Sequence, residues 1–233
     1  MFTKNDKIGF IVVEFPKAAE IFKKYQIDFC CGGDRPLDIA LTEQKLDADE
    51  VLQQLNSAYN EYQQLNAVVS NNWLQASLAD LVDYIVVTHH KYLDANLPGI
   101  SELTLKILRV HGGRHQELGK VHKLFNVLRT ELEEHLITEE TILFPLIKQY
   151  EQDSDHKHAE QLKQLIQTIE NEHEAAGDII KELRAITGGF TPPEDACTSY
   201  KLTYKRIEEL ESDLFQHIHL ENNILHPRVK ESI

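Results

Sequence analysis

Apolar residues recur every three or four positions along most of the chain, and the strict alternation that marks strands is almost absent. The pattern predicts an all-α protein. Four long amphipathic helices are expected from Ser77 onward. Helix A opens at Ser77, with Asp80 placed as in a capping box. It is expected to break at Leu97-Pro98-Gly99 and to continue through ISELTLKILRVH to Gly112-Gly113. Helix B runs from near His115 to about Tyr150, and helix C from about Lys157 to Ile186, stopped by Gly188-Gly189. Helix D follows Pro192-Pro193 and covers about Thr198 to Asn223. Residues 1–64 read as a small helical domain with helices at PKAAEIFKKYQ, LDIALTEQKL and ADEVLQQLNSAYNEY. Pro16 opens the first, whose Ala18, Ile21, Phe22 and Tyr25 share a face. A linker is placed at 65–76, where the periodicity fails, and the bundle domain spans 77–233.

Three of the four apolar seams carry polar residues. On helix B the seam reads Leu128, Leu132, His135, Glu139, Ile142, Leu146; on helix D it reads Ile207, Leu210, Leu214, His217, Glu221, Ile224. On helix C it reads Leu162, Ile166, Ile169, His173, Ala176, Ile180, Leu183. Burying an uncompensated carboxylate costs on the order of several kcal/mol, and these seams contain no Lys or Arg to offset it. Metal cations would.

The two glutamates sit in near copies of one motif, HLITEETILFP at His135–Pro145 and HIHLENNILHP at His217–Pro227. A four-residue spacing stacks His135 on Glu139, and His217 on Glu221, along one helix face. A single such pair is ordinarily just a surface pair. Here the copies stand 82 residues apart, and His173 stands 83 residues after His90. Four histidines and two glutamates, one group per helix, suit a two-metal site inside an antiparallel bundle. Helix A alone does not choose between His89 and His90; the repeat interval favours His90, with His89 in reserve. Angular position sets Glu140 facing away from the site and His219 outside it. His111 and His115 either donate hydrogen bonds behind the ligands or gate the site, or merely end a helix beside a glycine turn. His122, His156, His158 and His226 read as surface or incidental.

Composition adds exclusions. The chain has 233 residues, 42% hydrophobic, and a net charge of −14 with no basic tract, which argues against nucleic acid and anionic membrane surfaces. No apolar run is long enough to span a bilayer, and MFTKNDKIGFIVVEFP lacks a small-residue cleavage site and reads as mature sequence. Three cysteines, two adjacent, make no disulfide framework, so a reducing cytoplasm is expected. Cys30-Cys31 lie in an amide-rich turn, CCGGD, where a thiolate has grounds for a lowered pKa. The plainer alternative is two small packed residues. Adjacent cysteines rarely close on each other. Cys197 reads as structural. Mixed imidazole and carboxylate ligation suits Fe or Mn, with Zn a further option, and two His per metal leave positions open for O2, NO or a bridging oxo group.

DFCCGGDRPL near the N-terminus, and THHKYL, VHGGRH, EEHLITEETILFP, ENEHEAAG, TPPEDACTSY and HIHLENNILHP after it, resemble successive motifs of the iron–sulfur cluster repair di-iron proteins, the RIC family. The likeness covers nearly the whole chain; one departure is His226, where the first copy has Phe144. It implies a hemerythrin-like up-down four-helix bundle behind a small helical domain. It also implies two Fe ions in a non-haem, oxo- and carboxylate-bridged centre, held by His90, His135, Glu139, His173, His217 and Glu221. By the same resemblance the protein is a cytoplasmic stress protein that restores iron–sulfur clusters damaged by nitric oxide or peroxide, either delivering iron or binding and reducing NO. Its partners are then damaged iron–sulfur proteins with NO or O2 as small ligands, and a homodimer is compatible with it. Cys30 and Cys31 are implied to pass NO, electrons or iron to or from the centre. The rival reading is a hemerythrin-type O2 or NO carrier or sensor that does not turn over.

Overall fold

A computed structural model describes residues 1–65, 73–152 and 158–232. Most of the expected linker at 65–76, together with His156 and the expected helix start at Lys157, lies outside the described residues. The chain forms two compact units, Leu78–His217 and Met1–Ser77 with Ile218–Ile233. Among the described residues there is no strand, only an isolated bridge between Lys7 and Pro36.

The unit Met1–Ser77 with Ile218–Ile233 contains α1 (Ile8–Glu14), α2 (Ala18–Lys24), α3 (Leu37–Glu43) and α4 (Ala48–Leu65). The sequence pattern does not predict α1. Its β-branched run IGFIVVE is a poor helix former, but Ile8, Ile11 and Val12 are buried, and that packing overrides propensity. Phe15, Phe22, Phe29, Leu37 and Leu55 complete the core of this unit.

The unit Leu78–His217 holds α5 (Leu78–Ile85), α6 (Lys91–His111), α7 (Glu117–Thr138), α8 (Phe144–Gln152), α9 (Ala159–Ile186) and most of α10 (Thr198–Leu220). Leu78 and Ala79 N–H donate to Glu151 on α8 at the start of α5. Cross-helix pairs set the directions. Along each neighbouring pair the contacts run in opposite directions (Ser101 with Asn126 and Thr104 with His122; Lys120 with Glu182 and His135 with Glu172; His173 near His217 and Arg184 with Glu211; His90 near His217 and His111 with Cys197), so the helices run up, down, up and down.

Pro98 does not interrupt α6. Leu93, Leu97, Ile100, Thr104, Ile107 and His111 form an unbroken buried face, while Pro98 and Gly99 point to solvent. The lost hydrogen bond lies on the wet side, where water reaches the orphaned carbonyl. Helix α9 ends as its glycines foretell: Gly188 and Gly189 take φ of 58° and 72°, and Gly189 N–H bonds back to Arg184 O at 2.8 Å.

Three segments depart from α geometry. Val86–His90 joins α5 to α6, Glu139–Leu143 joins α7 to α8, and Glu221–Leu225 joins α10 to α11 (His226–Ser232); all three are π-helical. Each widened turn inserts one residue and slips the downstream face by about 100°. Ile142, expected in the seam, is 46% exposed, and Leu143 is buried in its place. On the second copy the helix likewise runs on, past Asn223 to Ser232.

Candidate metal centre

Every π-turn carries a candidate ligand at its edge: His90 ends the first, Glu139 begins the second and Glu221 begins the third. The first π-turn also explains why α periodicity cannot separate His89 from His90. Both are buried.

His90, Glu139 and His217 offer ligand atoms within 4.8 Å of one another, and so do His135, Glu139 and His173. Glu221, one turn beyond His217 on the same continuous helix, is the fourth member of each set. All six side chains are buried. The structure thus brings together the six residues singled out from spacing, with both glutamates common to the two sets. His89 stays beside them. Its ring stacks on His217 at 5.5 Å and 2°, and its Nδ1 bonds to Asp213 Oδ1 at 3.0 Å.

The donor chemistry fits metal cations. His90 Nδ1 meets Glu140 Oε1 at 2.8 Å, and His135 Nδ1 meets Glu172 Oε2 at 2.8 Å. A carboxylate accepts the Nδ1 proton in each case, which leaves Nε2 as the lone-pair atom. His90 Nε2 then faces His217 Nε2 at 3.2 Å and Glu139 Oε2 at 3.3 Å. His135 Nε2 faces His173 Nε2 at 3.1 Å and Glu139 Oε2 at 3.2 Å. Lone pairs gathered this closely repel unless a proton or cation lies among them.

Glu140 and Glu172 are the residues that spacing missed. Glu140 is 42% exposed, as its angular position requires, yet its carboxylate reaches back across the helix rim to His90. Facing away does not remove it from the site. For Glu172 the available signal is position alone: it immediately precedes His173.

Other expectations change. His219 is outside the metal-ligand sets and buried; burial pushes its imidazole down to about 4. His226 is fully buried rather than at the surface. His111 and His115 do not stand behind the ligands. They pack on Tyr200, with His111 Nε2 3.2 Å from Cys197 Sγ and His115 Nε2 2.9 Å from Asp195 Oδ1. The length of α6 separates His111 from His90, about 30 Å of helix. His122 is half-buried, its ring held by Thr104 and Asn126.

The cysteine turn has its own geometry. Asp28 Oδ1 accepts from Cys30 N–H and Gly32 N–H, both at 3.1 Å, and lies 3.3 Å from Cys30 Sγ. Cys30 is buried and Cys31 half-exposed, with 3.8 Å between the sulfurs. The amides are engaged by the Asp28 carboxylate, so the expected lowering does not occur at Cys30. The hydrogen bond with Cys31, burial and the Asp28 charge push its thiol well up. The turn is tied to the last helix: Asn223 Nδ2 donates to Phe29 O and Cys30 O, each at 3.2 Å. A Cβ on Gly9 or on Gly33 would lie 2.3 Å from Asn223 Oδ1, so glycine is what admits the amide.

Comparison with known proteins finds two family models along the chain. Residues 4–59 match the ScdA_N family, a domain of unknown function, and residues 81–229 match the hemerythrin HHE cation binding domain. The chain is 34% identical over 225 residues to the iron-sulfur cluster repair protein YtfE of Escherichia coli O81 (strain ED1a), covering 97% of this chain and 96% of that one. The YtfE protein of Enterobacter sp. (strain 638) is also 34% identical, and that of Escherichia fergusonii 33%, over the same shares. At this identity over nearly its whole length, the chain belongs to the YtfE family of iron-sulfur cluster repair proteins.

Proposed function

We propose that the protein is a di-iron protein that repairs iron–sulfur clusters damaged by nitrosative or oxidative stress. The carrying observation is the pair of buried donor sets that share Glu139 and Glu221, in a chain resembling YtfE repair proteins from end to end. On this reading His90 and His217 would hold one iron and His135 and His173 the other, with Glu139 and Glu221 available to both. A di-iron centre supplies exchangeable iron and open positions for a small diatomic such as NO or O2.

The chain's own residues do the rest. Glu140 and Glu172 hold the His90 and His135 rings in the tautomer that presents Nε2. The apolar seams around the six donors exclude bulk water, and Glu139 and Glu221 supply two negative charges against the cations. Damaged iron–sulfur proteins are the partners. Cys30, Cys31 and Cys197 stand as thiols, which suits a reducing compartment such as the cytoplasm. Among the described residues, no helix is long and apolar enough to cross a membrane.

Metal analysis with Mössbauer spectroscopy tests the centre: two irons per chain and a coupled pair are expected, and protein that purifies with under one metal per chain refutes it. Anaerobic exposure of the reduced protein to NO separates the routes. Repeated turnover to nitrous oxide marks reduction. Iron transfer to a damaged cluster without it marks delivery, and stoichiometric NO binding with neither result marks a carrier.

A further inference from the structure

The two adjacent thiols are built differently. Cys30 is 2% exposed and hemmed in by the Asp28 carboxylate, while Cys31 is half-exposed at the same turn. Asp28 also caps the turn through the Cys30 and Gly32 N–H groups, and Asn223 holds the Phe29 and Cys30 carbonyls. The asymmetry is therefore fixed by the backbone and does not depend on side-chain rotation alone.

We propose that Cys31 is a modification site at which a small disulfide joins the chain as a mixed disulfide, while Cys30 remains a thiol. Cys31 loses its proton to water and attacks one sulfur of the disulfide. The old S–S bond breaks, a bond from Cys31 to that sulfur forms, and the other half leaves as a thiolate. No net oxidant is needed beyond the disulfide itself.

Two features keep Cys30 from displacing the adduct. Attack requires a thiolate, and the hydrogen bond with Cys31, burial and the Asp28 carboxylate all favour the protonated form of Cys30. The sulfurs are in contact at 3.8 Å, but closing a ring between adjacent residues strains the peptide between them. The adduct persists instead of resolving. Nothing in this step uses the metal centre, so its failure leaves the proposed function standing, and the reverse holds too.

The test is exposure of the full-length protein, as purified, to glutathione disulfide, with peptide mass mapping over time. A Cys197→Ser background removes the other exposed thiol. One glutathionyl group on Cys31 is expected, accumulating at least about tenfold faster than any on Cys30. In guanidinium the two should react at similar rates, since the difference belongs to the fold. In a Cys31→Ser background, Asp28→Asn keeps an acceptor oxygen but removes the charge, and should speed labelling of Cys30 several-fold. Adducts on Cys30 first, equal rates in the native state, or a Cys30–Cys31 disulfide as the end product would each overturn the proposal. Because the primary measurement needs no change at either cysteine of the pair, misfolding of a variant cannot decide it.

Discussion

The two copies of the His-x3-Glu motif share a sequence, a π-turn and an inward pair of side chains, yet their outer faces live in different surroundings. In the first copy Ile137 is 62% exposed, Thr141 is exposed and Ile142 is 46% exposed. The aligned residues of the second copy are His219, Asn223 and Ile224, of which His219 and Ile224 are buried and Asn223 is half-buried. Helix α1 and the cysteine turn cover them, through the Asn223 amide and the edge of the His219 ring, 5.9 Å from Phe29. One segment leaves this face to solvent; its twin buries the same face beneath α1 and the cysteine turn. The inward chemistry is duplicated and the outward face is what diverged.

The largest expected effect strikes what the copies share. On the proposed two-iron reading, Glu139→Ala and Glu221→Ala should each reduce metal content from two per chain to one or none, and each should lower thermal stability, because a shared donor and a charge partner vanish together. Elemental analysis and thermal melting check both. If one variant keeps both metals while the other loses them, the copies are not equivalent and the shared-donor assignment fails. Exhaustive chelation of the unaltered protein should lower its melting temperature as well, since the gathered lone pairs lose what stabilises them.

The inward half of this comparison is legible in the amino-acid pattern. His135, Glu139, His217, Glu221 and His173 lie on apolar seams, and a helix buries such a seam whatever its neighbours are. The π-turns are not legible, since an i to i+5 hydrogen bond has no compositional signature. For that reason α periodicity sets Ile142 in the seam and leaves His89 and His90 undivided. Glu140 escapes for another reason. Its backbone does face away, but a long side chain at a helix rim can still reach a ring nitrogen on the next helix. The burial of the second copy's outer face is invisible because Asn223 acts through glycines 214 and 190 residues earlier, Gly9 and Gly33. No local pattern links them.

Breaking the cover over that face should cost less than emptying the centre. Asn223→Ala removes the amide that donates to both Phe29 O and Cys30 O, a loss of about 1–2 kcal/mol by chemical denaturation. Thr141→Ala, at the aligned exposed position, should stay within about 0.5 kcal/mol. Equal effects would erase the distinction between the copies. Gly9→Ala is expected to cost about 1–2 kcal/mol, because its Cβ would sit 2.3 Å from Asn223 Oδ1. Combined with Asn223→Ala it should cost visibly less, since the obstructing atom is gone; strict additivity would mean the glycine is there for another reason.

The smallest effect sharpens the comparison most finely. Had α7 continued as a regular α-helix through Glu139, Ile142 would be the next residue of the seam Leu132, His135, Glu139, and truncating it would open a core cavity costing about 2–5 kcal/mol. The π-turn instead moves Leu143 and Phe144 inward and turns Ile142 to solvent. Ile142→Ala should therefore change stability by no more than about 0.5 kcal/mol, with alanine's better helix propensity offsetting the small apolar area that the isoleucine still buries. A denaturation midpoint that falls by the larger amount would place Ile142 in the core, and with it remove the slip that buries Leu143 in its place.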